Sequence, residues 1–308
     1  VGILDPISGS RVRLREEVTR ETYTVTVYDG ATGATDQQYG KINIVGEYTQ
    51  DDDFTLQAGQ TAVIDFGQNF AGWPEITASG PKDTVITMRT GEMLNDMDGL
   101  MSRGNDGPEG SVYHANYRSA ASTSRYIMNG QGDETYHSTY TFYGFRYIEL
   151  AATQDITVKG MRGLVLTSML EDTGTLETSD ADVNQLISNI KWGGYSNLLS
   201  IPTDCPQRNE RSGWTADTQV FSTTGMYLAD LENFYNKWMD DMRDSARESD
   251  GAFRTIAPIN ETEGYEAGWS DAGIIVPYNV YTMTGDTRIL TENWDAMQKY
   301  MDEIGRAS

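Results

Sequence analysis

The sequence predicts a multidomain β + α chain: a β-sandwich up to about Thr167, then an α-helical region from about Leu176. Three observations predict it. Short runs rich in Val, Ile, Thr, Tyr and Phe, separated by Gly, Asn and Asp, fill the first part. The apolar spacing then changes to i, i+3, i+4, i+7. The densest polar segments lie between the helical stretches, where a helical scaffold places a site.

The β part opens with "YTVTVYDG", which alternates and ends in an Asp-Gly turn signal. "TAVIDFGQNFAGW", "DTVITMRTGEML", "SRYIMNG", "TYTFYGFRYIELAA" and "ITVKGMRGLVLTSM" follow. Many short strands with turn punctuation make the pattern of a sandwich. Residues 94–110, "LNDMDGLMSRGNDGPEG", read as a flexible polar surface loop. Their spaced acids suggest calcium, but the terminal bidentate Glu of an EF-hand loop has no counterpart at the right spacing.

In the helical part, Ser179 with Asp182 three later resembles a capping box. Val183, Leu186, Ile187 and Ile190 then fall on one helix face. Asp230 can cap a second helix with the buried stripe Leu231, Phe234, Tyr235, Trp238 and Met242. A third, starting near Asp286, carries Leu290, Trp294, Met297, Met301 and Ile304. Further helices are predicted at about 216–228 and 270–284, about five in all. The Met and Trp residues of these stripes read as core.

Composition narrows the function classes. A chain of 308 residues suffices for two ordinary domains. The formal charge of −23 repels nucleic acid and anionic membranes, so neither is expected as a partner. No apolar run approaches a membrane span. One cysteine excludes an internal disulfide framework, and two histidines (His114 and His137) leave little for a metal site or a Ser-His-Asp mechanism. Neither a metal nor a cofactor is expected. The start lacks an initiator methionine and a signal-peptide pattern, and the end stops just after a helical pattern, so both ends read as cuts. Localisation is not legible.

The segment "TDCPQRNERSGWTAD", Thr203 to Asp217, carries Asp204, Glu210 and Asp217 beside Arg208, Arg211 and Trp214. Carboxyls with aromatics suit carbohydrate chemistry: hydroxyls meet carboxylates and arginines, and apolar C–H faces meet indoles. Glycoside hydrolysis needs one carboxylic acid to protonate the leaving oxygen and a second carboxylate to activate water or to attack. The acid's pKa must be raised by burial or a neighbouring negative charge. A second loop repeats the theme with Glu261, Glu263, Glu266, Trp269 and Asp271, and a Gly-Trp pair followed by an acid occurs in both. The same residues also suit helix caps, ion pairs and core, and from the residues alone both readings stand.

"DCPQRNERSGWTAD" closely resembles the signature of bacterial α-L-rhamnosidases, D-C-P-Q-R-D-E-R-x-G-W-x-x-D. "FGQNFAGWPEI" and "YTFYGFRYIEL" resemble that family's sandwich segments, and "AGWSDAGIIVPYNVYTMTGD" resembles its later helices. The resemblance covers roughly residues 50–308. It implies a concanavalin-like β-sandwich over 51–170 and the first part of an (α/α)6 barrel over 171–308. Residues 1–50 form a lead-in, with Tyr23–Tyr48 resembling an insertion. The implied reaction is hydrolysis of terminal α-L-rhamnosides with inversion, on a rhamnose-containing glycoside or polysaccharide. Carried over by position, Glu210 is the general acid, Asp204 and Asp217 hold sugar hydroxyls, and Trp214 lines the apolar face with its C6 methyl. Arg208 binds hydroxyls or orients Asp204, and Trp269 and Asp271 are pocket residues.

Two departures stand out. Asn209 replaces the family's usual Asp, removing a charge beside Glu210. An (α/α)6 barrel needs twelve helices, and the family's catalytic base is a glutamate beyond the equivalent of Ser308. Glu261, Glu263 and Glu266 lie too early to match it. The expectation is a fragment, inactive alone, whose helices expose apolar stripes until a further segment or chain completes the barrel. Two alternatives are an inverting glycosidase of the same barrel acting on another sugar, and a carbohydrate-binding protein without catalysis.

Overall fold

A computed structural model describes residues 12–247, 251–259, 264 and 266–307. It holds two compact units: Arg15–Leu166 with Pro206–Asn209, and, of the described residues, those within 12–14, 167–205 and 210–307.

The first unit is a sheet organised around one long strand, Thr61–Ser79. The left-handed glycine Gly67 divides this strand in two, and the Asp65 carboxylate accepts the Gly67 N–H at 2.7 Å. Before the glycine, Thr61–Asp65 pairs with Thr24–Tyr28 on one side and with Tyr147–Ala151 on the other. After it, Gly72–Ser79 pairs with Thr157–Val165, and Glu75–Ala78 also pairs with Glu134–His137. One strand therefore serves two sets of partners, which is how the sheet curls over its own core. From Trp73 to Ser79 buried residues alternate with partly exposed ones, the period-two pattern of a sheet with one covered face. Phe66, Phe70 and Phe145 fill the bend, with Phe70 and Phe145 centroids 4.6 Å apart. Arg146 forks onto Asp65 with two bonds of 2.7 Å. The stretch Tyr23–Tyr48 supplies the hairpin of Thr24–Thr32 and Lys41–Thr49 on this sheet.

Residues 94–110 differ from the flexible loop expected. Asn95 is buried, and its amide donates to Asp106 and to Ser111 Oγ, both at 3.0 Å. Asp106 in turn accepts from the backbone N–H groups of His114 and Ala115 at 2.8 Å. Asp96, Asp106 and Glu109, three of the acids that suggested calcium, accept from the chain's own donors, and no group of three or more metal-ligating side chains lies among the described residues.

The second unit contains α1 (Ala181–Asn197), α2 (Thr215–Leu228), α3 (Glu232–Asp244), the single turn α4 (Ala267–Ser270), α5 (Ala272–Thr284) and α6 (Arg288–Ala307). Asp180 rather than Ser179 caps α1, because its carboxylate reaches the N–H groups of Asp182 and Val183. Asp230 accepts the N–H of Glu232, and Asp286 that of Arg288, at the starts of α3 and α6. The α3 stripe is buried throughout: Leu231, Phe234, Tyr235, Trp238 and Met242 sit beneath α5, α6 and the irregular segment Ala252–Ala257. The Trp238 indole donates to the Ala257 carbonyl at 3.0 Å, which satisfies its buried N–H.

The core reading of the Met and Trp residues fails at two positions on α6, and apolar stripes of the kind expected of an incomplete barrel are exposed on α1 and α6. Leu186 is 57 % exposed, and Trp294 and Met301 are each 55 % exposed. Periodicity marks a face, but burial needs an element opposite it. Leu186 on α1 and Trp294 and Met301 on α6 lack that cover among the described residues. No described helix is long and apolar enough to cross a membrane.

Candidate active site

The motif segment follows α1 through a tight hairpin, Leu198–Leu199 against Ile201–Pro202, turned at the left-handed Ser200. The Thr203 N–H and hydroxyl both donate to the Asn197 carbonyl, at 2.8 and 3.0 Å. Asp204 then closes a loop. Its N–H donates to the Ser212 carbonyl at 3.0 Å, and its carboxylate accepts the Ser212 N–H at 2.8 Å. The chain reverses at Arg211, a non-glycine residue at φ +50. From Ser212 onward it runs antiparallel to Thr255–Ala257. Ala257 N–H donates to Gly213 and Thr215 N–H to Thr255, both at 3.0 Å. Trp214 pairs with Ile256 in that ladder and stands at the start of α2.

This geometry fixes Glu210 against Trp214. The indole N–H donates to Glu210 Oε1 at 2.9 Å, and both residues are half-buried. Asp217 lies in the first turn of α2, where the helix dipole favours a negative charge. It makes no cap: the cap position is Trp214, without a side-chain bond.

Asp204 and Asp217 share a cavity of about 450 Å³, whose wall includes Asn197, Phe221 and Tyr235. A neighbouring groove of about 480 Å³ joins Asp217 and Phe221 to Trp269. Both volumes are in the range of small-molecule sites. Three expected residues, Asp204, Asp217 and Trp269, are therefore linked through Asp217. Glu210 and Trp214 form a separate bonded pair and do not line either cavity. Arg208 falls in Pro206–Asn209, which belongs to the sheet unit. Asp271, at the junction of α4 and α5, accepts the Tyr300 hydroxyl at 2.8 Å. Glu266 precedes α4 without a capping bond, and Glu261 and Glu263 lie outside the described residues.

The sequence reading passed over Phe221 and Tyr300. Phe221 follows Asp217 by four residues on α2, a spacing that puts both on one face and could have revealed it. Tyr300 lies 29 residues from Asp271, a pairing that no local pattern announces.

Residues 171–308 match the family model of the bacterial alpha-L-rhamnosidase 6 hairpin glycosidase domain, and residues 56–167 that of the bacterial alpha-L-rhamnosidase concanavalin-like domain. An alpha-L-rhamnosidase of Streptomyces avermitilis is 40 % identical over 248 residues, covering 80 % of this chain and 23 % of the relative. One from Formosa agariphila is 37 % identical over 243 residues, covering 78 % and 25 %. The solved Streptomyces avermitilis alpha-L-rhamnosidase complexed with L-rhamnose superposes with a TM-score of 0.76 at 32 % identity, over 97 % of this chain and 25 % of that one. The chain thus spans about a quarter of the length of these relatives. Two consecutive domain matches, in the same order as the sheet and helical units, establish that the chain belongs to the bacterial α-L-rhamnosidase family.

Proposed function

We propose that this chain supplies the acid half of an inverting α-L-rhamnosidase. Glu210 protonates the glycosidic oxygen as the bond to the anomeric carbon breaks. Asp204 and Asp217 hold sugar hydroxyls and stabilise the positive charge that develops at that carbon, with Arg208 as a further hydroxyl contact. Trp214 lies along the apolar face of the 6-deoxy sugar, and Trp269 and Asp271 complete the pocket wall. The base that activates water lies in barrel residues outside these 308, about 6.5–9.5 Å from the acid, a gap that leaves room for the water.

The observation that carries this reading is the Trp214 indole bonded to Glu210. It holds a carboxyl at one orientation at the edge of an aromatic ring, as a proton donor beside a bound sugar requires. The test is hydrolysis of nitrophenyl α-L-rhamnoside. A polypeptide that includes the rest of the barrel is expected to release the β anomer first, followed by NMR. The α anomer as first product would sink the inverting mechanism. Residues 1–308 alone are expected to give no turnover, and measurable turnover would overturn the assignment of the base outside them. Sugar binding without turnover in the longer polypeptide would favour a carbohydrate-binding role.

Asn209 bears on the acid's pKa. Its side chain is exposed, so a charge placed there is screened by water. The Asn209→Asp variant is therefore expected to shift the pH–rate profile by less than about half a unit. A larger upward shift would assign the usual family Asp an electrostatic role.

A further inference from the structure

Within the sheet unit, Pro206–Asn209 has no helix or strand of its own, yet it is held closely. A Cβ at Gly144 would lie 2.8 Å from Pro206 Cγ and 3.0 Å from the Gln207 backbone N, so only glycine admits this approach. The Gly144 carbonyl is itself fixed by the Tyr117 hydroxyl at 2.5 Å. Ser122 donates a long 3.5 Å bond to the Gln207 carbonyl.

The Gln207 side chain meets Glu92. That carboxylate also accepts from Asn69 at 2.9 Å and from Asn116 at 3.1 Å. Burial pushes the Glu92 carboxyl above the usual range, and the three amide donors oppose that shift. The carbonyl oxygens of Asn116 and Gln207 are buried without partners among the described residues. Both amides therefore spend their donors on one carboxylate and leave their acceptors unmet. Charge-assisted bonds are stronger than neutral ones, which accounts for the choice.

We propose that Glu92 is a positioning residue of the active site: by anchoring Gln207 it sets the place and direction of Arg208, the next residue. This rests on the reading of Arg208 as a sugar contact. A residue more than 100 positions away in sequence would then govern substrate affinity without touching the substrate.

Two measurements test it. The first is amide hydrogen exchange in the 308-residue chain. Glu92→Ala is expected to speed exchange at Gln207 and Arg208 by about ten-fold while the helices keep their protection. Unchanged exchange at those two amides would overturn the anchor. The second uses the longer, rhamnoside-hydrolysing polypeptide. Glu92→Ala is expected to raise KM by about ten-fold with kcat little changed, and to add nothing in an Arg208→Ala background. Additive losses, or an unchanged KM, would overturn the link to Arg208. Glu92→Gln keeps one acceptor and the side-chain shape, so partial rescue is expected, and it replaces Glu92→Ala if that variant fails to fold. A wild-type polypeptide without rhamnoside turnover would overturn the rhamnosidase reading instead, leaving the anchor judged by exchange alone.

Discussion

Replacing Gly213 by alanine is expected to destabilise the helical unit by about 3 kcal/mol, the upper end of overpacking costs. The new Cβ would stand 2.1 Å from the Ala257 carbonyl oxygen, a backbone atom that cannot swing away. Relief requires the two segments to part, which breaks the bonds Gly213 and Thr215 make to Ala257 and Thr255. The Trp238 indole, bonded to the same Ala257 carbonyl, loses its fixed partner as well. The melting temperature should fall by about 6–12 °C, read by calorimetry. Sugar affinity should fall too, because Trp214 follows Gly213 directly. Gly268→Ala is the control. It precedes Trp269 as Gly213 precedes Trp214, but its Cβ would meet nothing within 4 Å, and it sits in a helical turn where alanine is the better residue. An unchanged or slightly higher melting temperature is expected there. Equal losses at the two glycines would refute the close-approach argument.

In the longer polypeptide that includes the rest of the barrel, replacing Glu210 by glutamine is expected to lower kcat on natural rhamnosides by about 10²–10⁴-fold, the usual contribution of a general acid. The amide keeps the oxygen that accepts the Trp214 N–H, so the loop and the melting temperature should stay as they are. What disappears is the transferable proton. The loss should therefore depend on the leaving group: large for an alkoxide, small for a nitrophenolate that departs without protonation. A loss of the same size for both would mean that Glu210 acts on the water or on the sugar rather than on the leaving oxygen.

The parts of the molecule that were legible in its sequence are those governed by local chemistry. The α3 stripe from Leu231 to Met242 could be read because its 3.6-residue spacing coincides with real cover over that face. The core reading misled at Trp294 and Met301, and Leu186 stands exposed on its helix face: the pattern records a face, not the presence of cover. Asp180 displaced Ser179 by one residue because either side chain can serve the first turn, and only backbone geometry chooses. At the site, residue types pointed to Asp204, Glu210 and Trp214. The Asp204–Ser212 closure and the Gly213–Ala257 contact depend on a chain reversal at Arg211 that propensity does not announce. Asp106 looks like a ligand in a string of letters, and only the fold reveals the backbone donors that occupy it.

The strand from Thr61 to Ser79 has a consequence for how the chain folds during synthesis. Its first half finds a partner made earlier, Thr24–Tyr28, while its second half waits for Thr157–Val165, more than 75 residues further on. Until that last strand leaves the ribosome, residues 72–79 present one row of unpaired backbone groups. Pairings this distant close slowly, since chain entropy must be lost before the contacts form. The glycine that divides the strand between its sets of partners therefore sits in a sheet completed only when nearly the whole unit has been translated.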